Sequence, residues 1–360
     1  MVNRPKKFYL MMSLLLLEIC LFSLPSFSIQ KSKHPFKIRD NLQREVVLPH
    51  QIKRILSLQP EITRILIALG QEKKLIGIDY FIHRYDHLYP LLKPRLRDLP
   101  LVSLSSESIN WELLLRLKPD LIFTSPSETH LASSLQKKTG IPTLVLSSQG
   151  RLTSLLEEIK LIGQWVNQEK RAAYLCGFFQ DKIKMVVSTL ARTAPLQKPR
   201  VYLAFWSSLT RTPVDYEPVK VAGGINLAEE LLPEDLGTVG TVVSVEKILA
   251  WNPDIILLHG NYLPEERKIT PALVFQDKRL SAIRAVKNKQ VYYTFGFWYW
   301  WDPAQVLVEI MYLAKIFHPE IFTRIDLEKE GNQVYQIFYS LPHGFTYLQQ
   351  RLKWENGWSK

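Results

Sequence analysis

From Ile52 onward the chain alternates short apolar runs with segments whose apolar residues recur at helical spacing. Residues 52–58 read as a strand, 61–70 as a helix closed by Gly70, and 74–79 as a second strand. Residues 111–117 follow as a helix stopped before Pro119, 121–124 as a strand, 131–139 as a helix closed by Gly140, and 143–147 as a strand. Strand, helix and strand in repetition predict a parallel sheet with helices on its faces. Residues 152–192 then keep helical periodicity without a proline and with only Gly163 and Gly177, which predicts a spanning connector. A second alternation begins after Pro195 and Pro199. It has a strand at 200–204, a turn at Gly223-Gly224, a helix from Leu227, a helix at 245–251 and strands at 255–258 and 290–294. Asp302-Pro303 has the chemistry of a cap and first helical residue, and opens a helix that runs to Phe317.

The two alternations share a motif. Residues 111–122 align without gaps on 245–256. Each copy has a capping residue (Asn110, Ser244) two positions before a glutamate (Glu112, Glu246), and a proline (Pro119, Pro253) seven after it. Each ends on an aspartate (Asp120, Asp254) that precedes an apolar strand. A duplicated lobe is the economical explanation, against chance recurrence of a common αβ pattern.

Composition narrows the class. The 360 residues suit two lobes with connections, and 46% apolar with 22% charged residues excludes both a disordered chain and a polytopic membrane protein. The balance of 46 basic against 34 acidic residues gives +12, but the basic residues are scattered, so no nucleic-acid partner is expected. Arg4, Lys6 and Lys7 precede an apolar stretch over 8–24, and Ser26-Phe27-Ser28 offers small residues to a signal peptidase. Residues 1–28 are expected to be a cleaved secretory signal. Glu18 in mid-segment argues against an uncleaved anchor, and Leu17-Glu18-Ile19 before Cys20 departs from a lipoprotein signal. Cys176 would then be the one cysteine left, which excludes an intramolecular disulfide and a cysteine-based metal site. A periplasmic protein without a lipid anchor is the expectation.

The order of these pieces resembles the substrate-binding proteins of ABC importers for iron complexes, cobalamin and haem. The resemblance runs from about Ile52 to Tyr339. It rests on Leu58-Gln59-Pro60-Glu61-Ile62-Thr63 leading to Ala68-Leu69-Gly70, and on the Glu112 helix with Lys118-Pro119-Asp120. It rests also on Gly223-Gly224-Ile225-Asn226, on the Glu246 helix with Pro253-Asp254, and on His318-Pro319-Glu320 with Phe338-Tyr339. The family often has serine before the first proline, where this chain has Gln59. The resemblance implies an α/β fold of two Rossmann-like lobes with parallel-rich sheets joined by a long helix. The expected divisions are an N-terminal lobe at 29–150, a connecting helix at 151–195, a C-terminal lobe at 196–320 and an extension at 321–360. It also implies docking of Glu112 and Glu246 onto an inner-membrane ABC permease, a monomer with no intrinsic cofactor, and a metal chelate as cargo.

Cargo chemistry is expected at the carboxyl ends of the strands, where open parallel sheets meet ligands. Three such places are aromatic: Tyr80 and Phe81; Phe205 and Trp206; and Trp298, Tyr299, Trp300 and Trp301. Aromatic loops suit a flat, large ligand. Arg84 and Arg211 stand beside them, with guanidinium forks that match carboxylates of an anionic chelate. A ferric siderophore is the leading expectation, with cobalamin or haem next. A free-metal receptor would draw on His83, His87 and His259, which follow no metal-ligand spacing. An enzyme ranks last, because the chain has no G-x-G-x-x-G, G-x-x-x-x-G-K, G-x-S-x-G or H-E-x-x-H.

Overall fold

The apolar runs of the sequence become short strands buried on both faces, as parallel sheets require. A computed structural model of the protein describes residues 36–360 apart from 93–95, 97–98, 104–107, 126–128, 149, 194–196, 232–239, 296–301 and 355–360. The expected signal segment, 1–28, lies outside the described residues, as do Trp298, Tyr299, Trp300 and Trp301. No described helix is long and apolar enough to cross a membrane.

An antiparallel hairpin of β1 (Phe36–Arg39) and β2 (Glu45–Leu48) comes first. The polar lead of the chain gave no sign of it. β3 (Ile55–Ser57), β4 (Leu75–Gly77), β5 (Leu121–Thr124) and β6 (Thr143–Val145) form an all-parallel sheet in the order β4-β3-β5-β6. The hairpin shields its β6 edge. Asn41 N–H donates to the Val145 carbonyl at 2.9 Å, and Arg44 donates to the Thr143 carbonyl at 2.8 Å. The helices of this lobe are α1 (Pro60–Ala68), α2 (Tyr80–Tyr85), α3 (Trp111–Leu117) and α4 (Thr129–Thr139).

The second sheet is built from β7 (Arg200–Ala204), β9 (Ile225–Asn226), β11 (Ile255–Leu258) and β12 (Val291–Tyr293), all parallel, in the order β12-β11-β7-β9. β8 (Arg211–Thr212) and β10 (Thr241–Val242) pair as a small antiparallel ribbon. Matched position by position, β4-β3-β5-β6 has the same topology as β9-β7-β11-β12.

The segment expected as one connector is two helices, α5 (Leu152–Trp165) and α6 (Glu169–Ala191). The chain reverses through Asn167, whose φ of 59° is left-handed, and Gln168 N–H closes on the Gly163 carbonyl at 2.6 Å. Gly163 allows the reversal: a Cβ there would lie 2.5 Å from the Ala172 Cβ. Periodicity cannot register such a turn, because it interrupts neither the apolar spacing nor the absence of proline. The 23-residue α6 is thus the long helix, about 34 Å at 1.5 Å per residue.

Completing the C-terminal half are α7 (Glu217–Val221), α8 (Val245–Trp251), α9 (Pro271–Gln276), α10 (Arg284–Lys287), α11 (Pro303–Phe317), α12 (Leu327–Tyr339) and α13 (Gly344–Arg351). The helix expected from Leu227 is a single 3₁₀ turn, Leu227–Glu230. One continuous apolar core draws on the inner faces of both sheets and on α1, α5, α6, α11, α12 and α13. Separate outer cores cover each sheet's other face, one around Leu56, Leu114 and Ile122, the other around Tyr202, Ile248 and Trp251.

The repeat reaches atomic detail. Asn110 and Ser244 accept the N–H of Leu113 and Lys247 across the first turns of α3 and α8. Both helices end in a left-handed residue, Lys118 at φ 46° and Asn252 at φ 45°. Asp120 and Asp254 accept backbone N–H groups at the entry to the central strand, from Lys53 and Arg54 in one lobe and Arg200 in the other. Arg54 and Arg200 then donate to the last helical carbonyls, Leu117 and Trp251.

Candidate functional site

Segments that follow the carboxyl ends of the two sheets meet: Arg84 and His87, after β4, contact Glu266 and Asn261, after β11. On the first lobe, β4 leads through Asp79 into α2. Asp79 caps that helix by accepting from Phe81 N–H at 2.7 Å and Ile82 N–H at 3.1 Å. Tyr80 and Phe81, expected in a loop, therefore form its first turn, because the aspartate supplies a helix start. Tyr80, Phe81 and Tyr85 form an aromatic group with ring centroids 5.8 to 6.1 Å apart.

On the second lobe, β7 is followed by Phe205, and Trp206 and Ser207 turn the chain at φ 51° and 53°. Phe205 is buried with its ring stacked on His259 at 4.5 Å and 3°. Tyr262 meets His259 edge-on at 5.0 Å. Half-buried Trp206 stacks beside Phe205, and the Arg211 guanidinium lies 5.7 Å from its ring centroid. Phe205 is thus the support of this wall, while Trp206 and Arg211 form its surface.

Contacts cross between the walls. Arg84, nearly half exposed, pairs with Glu266 of the second lobe at 2.6 Å. That hydrogen bond, with the glutamate's charge, raises the guanidinium's pKa further above its ordinary value. Buried His87 shares a hydrogen bond from Nε2 with the Asn261 carbonyl at 3.1 Å. Burial lowers its pKa, opposed only in part by that carbonyl. Beside them lies a cavity of about 20 Å³, room for one water, lined by Arg64, Asp86, His87, Asn261, Asp302 and Gln305 among others. At another point Glu217 accepts Leu152 N–H at 2.7 Å, joining α7 to the start of α5.

The histidines do not converge. His83 is exposed against Tyr89, His87 faces Asn261, and His259 is sandwiched in the second wall. Among the described residues no three His, Cys, Asp or Glu side chains gather in a metal-holding group. Cys176 is buried and its thiol is pushed up to about 11 by desolvation, so it is inert.

Glu112 and Glu246 are exposed in the first turns of α3 and α8. Each helix runs back along the strand that follows it, so both glutamates stand toward the carboxyl ends of the sheets. Hydrogen bonds from its own N–H and from the Ser244 hydroxyl lower the Glu246 pKa.

The sequence reading missed Glu266, Asn261 and Tyr262, and the pairing of Arg64 with Asp86 and Asp302, of which it named Asp302 as a helix cap. The trio left one sign, an arginine inside the apolar helix Pro60–Ala68.

A family model described as periplasmic binding protein matches residues 55–295. The molybdate-binding protein MolA of Haemophilus influenzae is 28% identical over 350 residues, covering 90% of this chain and 95% of that protein. Its molybdate-bound structure covers 85% of this chain at 24% identity with a TM-score of 0.68. A vitamin B12-binding protein of Vibrio cholerae is 25% identical over 219 residues, 58% of this chain and 71% of its own length. An ABC transporter solute-binding protein from Sulfurospirillum deleyianum superposes with a TM-score of 0.70 at 22% identity, covering 88% of this chain and 99% of its own.

Proposed function

The chain belongs to the periplasmic binding protein family, and from that premise we propose that it captures an anionic metal species between its two walls and hands it to a two-subunit ABC permease. The family and its relatives serve transport and are not enzymes. The observation that carries the reading is Arg84, a half-exposed guanidinium at the cleft whose partner, Glu266, belongs to the opposite lobe. An incoming anion takes the place of Glu266 on Arg84, and Arg211 on the facing wall offers a second guanidinium.

The first candidate is a compact oxyanion of the molybdate class, supported by similarity to a molybdate-binding protein over nearly the whole chain. A bulkier chelate, a ferric siderophore before cobalamin or haem, is the second. Tyr80, Phe81, Trp206 and the run Trp298, Tyr299, Trp300 and Trp301 favour it, since they would cover a flat ligand. Glu112 and Glu246 are the permease contacts in this reading. Residues 1–28 export the protein to the periplasm, without a lipid anchor.

Titration of tryptophan emission with sodium molybdate, a ferric catecholate siderophore, cobalamin and haem tests the cargo. Saturable quenching by molybdate alone supports the oxyanion; quenching by the ferric chelate alone transfers the assignment to it. Quenching by none of the four overturns the reading of an anionic metal cargo.

A further inference from the structure

Arg64 occupies the fifth position of α1, a helix whose nine residues are all buried. A guanidinium there is tolerated only where opposite charges offset its desolvation. Its two arms divide: one Nη meets Asp86 Oδ1 at 2.5 Å and the other meets Asp302 Oδ2 at 3.3 Å. Its central carbon lies 5.0 Å from the ring centroid of Tyr339. Asp86 directly follows α2, the aromatic helix of the first wall, and its carboxylate also accepts Leu88 N–H at 2.9 Å. Asp302 caps α11 in the second lobe by accepting from Ala304 N–H at 2.8 Å and Gln305 N–H at 3.2 Å. One side chain therefore joins the loop behind the first wall to the helix start behind the second.

The C-terminal extension backs this joint. Tyr339 on α12 donates its hydroxyl to Asp302 Oδ1 at 2.5 Å. α12 is itself fastened to the first lobe and to α6: Arg171 of α6 donates to the Ala68 carbonyl at the end of α1 and to the Ile337 carbonyl of α12, and Lys182 of α6 pairs with Glu330. α6 alone would fix the distance between the lobes while leaving the separation of the cleft loops free; the Arg64 joint ties those loops directly.

We propose that Arg64, braced by Tyr339, is a positioning residue that sets the spacing of the two cleft walls, whatever cargo they receive. Arginine suits the task because its planar fork can hold two carboxylates in different directions, whereas a lysine ammonium is a point charge on a flexible stem.

The test measures wall spacing in the cargo-free protein. Leu115 on α3 and Leu273 on α9 are about half exposed, one on each lobe, and accept cysteine for spin labels. Cys176 stays unlabelled because it is buried, and the labelled protein starts at Ile29, without Cys20. Pulsed dipolar spectroscopy on Leu115→Cys with Leu273→Cys should give one narrow distance distribution. Arg64→Met should widen it by about twofold, and Arg64→Lys and Tyr339→Phe by less, as expected when a joint between two rigid bodies is loosened. An arginine with a merely structural role would lower the melting temperature and leave the width alone. Should Arg64→Met fail to fold, Arg64→Lys and Tyr339→Phe carry the test. Unchanged widths in every variant that folds overturn the proposal.

Discussion

The two lobes are alike in one helix–strand unit and unlike in the segments that follow β4 and β7. α3 with β5 and α8 with β11 repeat each other down to the capping side chain, the left-handed last residue and the aspartate that receives the next strand. The walls facing the cleft share none of that detail. The first presents a short capped helix carrying Tyr80, Phe81 and Arg84, the second a left-handed turn at Trp206 propped on a Phe205–His259 stack. In the proposed reading the shared part serves folding and the permease, while the unshared part serves the cargo.

The largest effect should come from breaking the symmetric part at its surface. Glu112→Arg with Glu246→Arg leaves both caps and both helices in place, because Asn110 and Ser244 do the capping. On a permease with two basic pockets the reversal sets like charges together at a cost of several kcal/mol, so transport should fall by about a hundredfold or more. Ligand affinity should be unchanged. Normal uptake in cells carrying the double variant would reduce the two carboxylates to charges that offset helix dipoles.

Next is the interior of the same repeat. Asp120→Ala removes an acceptor shared by Lys53 and Arg54 N–H, and Asp254→Ala removes the acceptor of Arg200 N–H and the Arg284 ion pair. Each should cost about 2 to 3 kcal/mol in denaturant unfolding, given the strength of hydrogen bonds to charged groups. The two losses should agree within about 1 kcal/mol. A large loss in one lobe with none in the other would show that the repeat is geometrical only.

Much of this was legible in the chain. Trp111–Leu117, Leu121–Thr124, Arg200–Ala204, Val245–Trp251 and Ile255–Leu258 coincide with the bounds expected from apolar spacing, because Asn110, Ser244, Pro119 and Pro253 mark the element ends locally. The α5–α6 reversal was not legible, since its cause is the 2.5 Å approach at Gly163 to a residue on another helix. The site was half legible: strand-end aromatics and arginines stood out by type. Glu266 did not, because only folding brings it to Arg84 from 182 positions away. Arg64 likewise shows its purpose only when Asp86 and Asp302 arrive from separate segments.

The asymmetric walls predict asymmetric losses. Trp206→Ala strips the surface of the second wall, costs Phe205 one ring neighbour while leaving the Phe205–His259 pair in place, and should weaken cargo binding by about 2 kcal/mol, the scale of an aromatic anchor. Arg84→Gln should weaken an anionic cargo comparably and flatten its salt dependence. Isothermal titration with molybdate and with a ferric catecholate reads both. Equal affinity in wild type and Trp206→Ala would remove the second wall from the cargo site.

The smallest effect concerns a pair of carboxyl groups where α5 packs against α1. Glu158 of α5 is buried against Glu61 of α1, and Glu61 accepts from Ser148 N–H at 2.8 Å and Ser148 Oγ at 2.6 Å. Burial first, then the charge and hydrogen bond of Glu61 and the charge of Glu157, push the Glu158 carboxyl well above its ordinary value, which favours its protonated form. A carboxyl raised on folding contributes stability that is full below its unfolded pKa and is lost as pH rises toward the folded value. Each pH unit in that window therefore costs up to about 1.4 kcal/mol, the linkage slope for one proton. Glu158→Gln keeps the donor and removes the ionisation. It should flatten stability against pH above ordinary carboxyl values, while Ser148→Ala keeps the slope and lowers the whole curve. Melting temperatures from pH 5 to 9 decide it: parallel curves for wild type and Glu158→Gln would mean that the pair ionises freely and holds no proton.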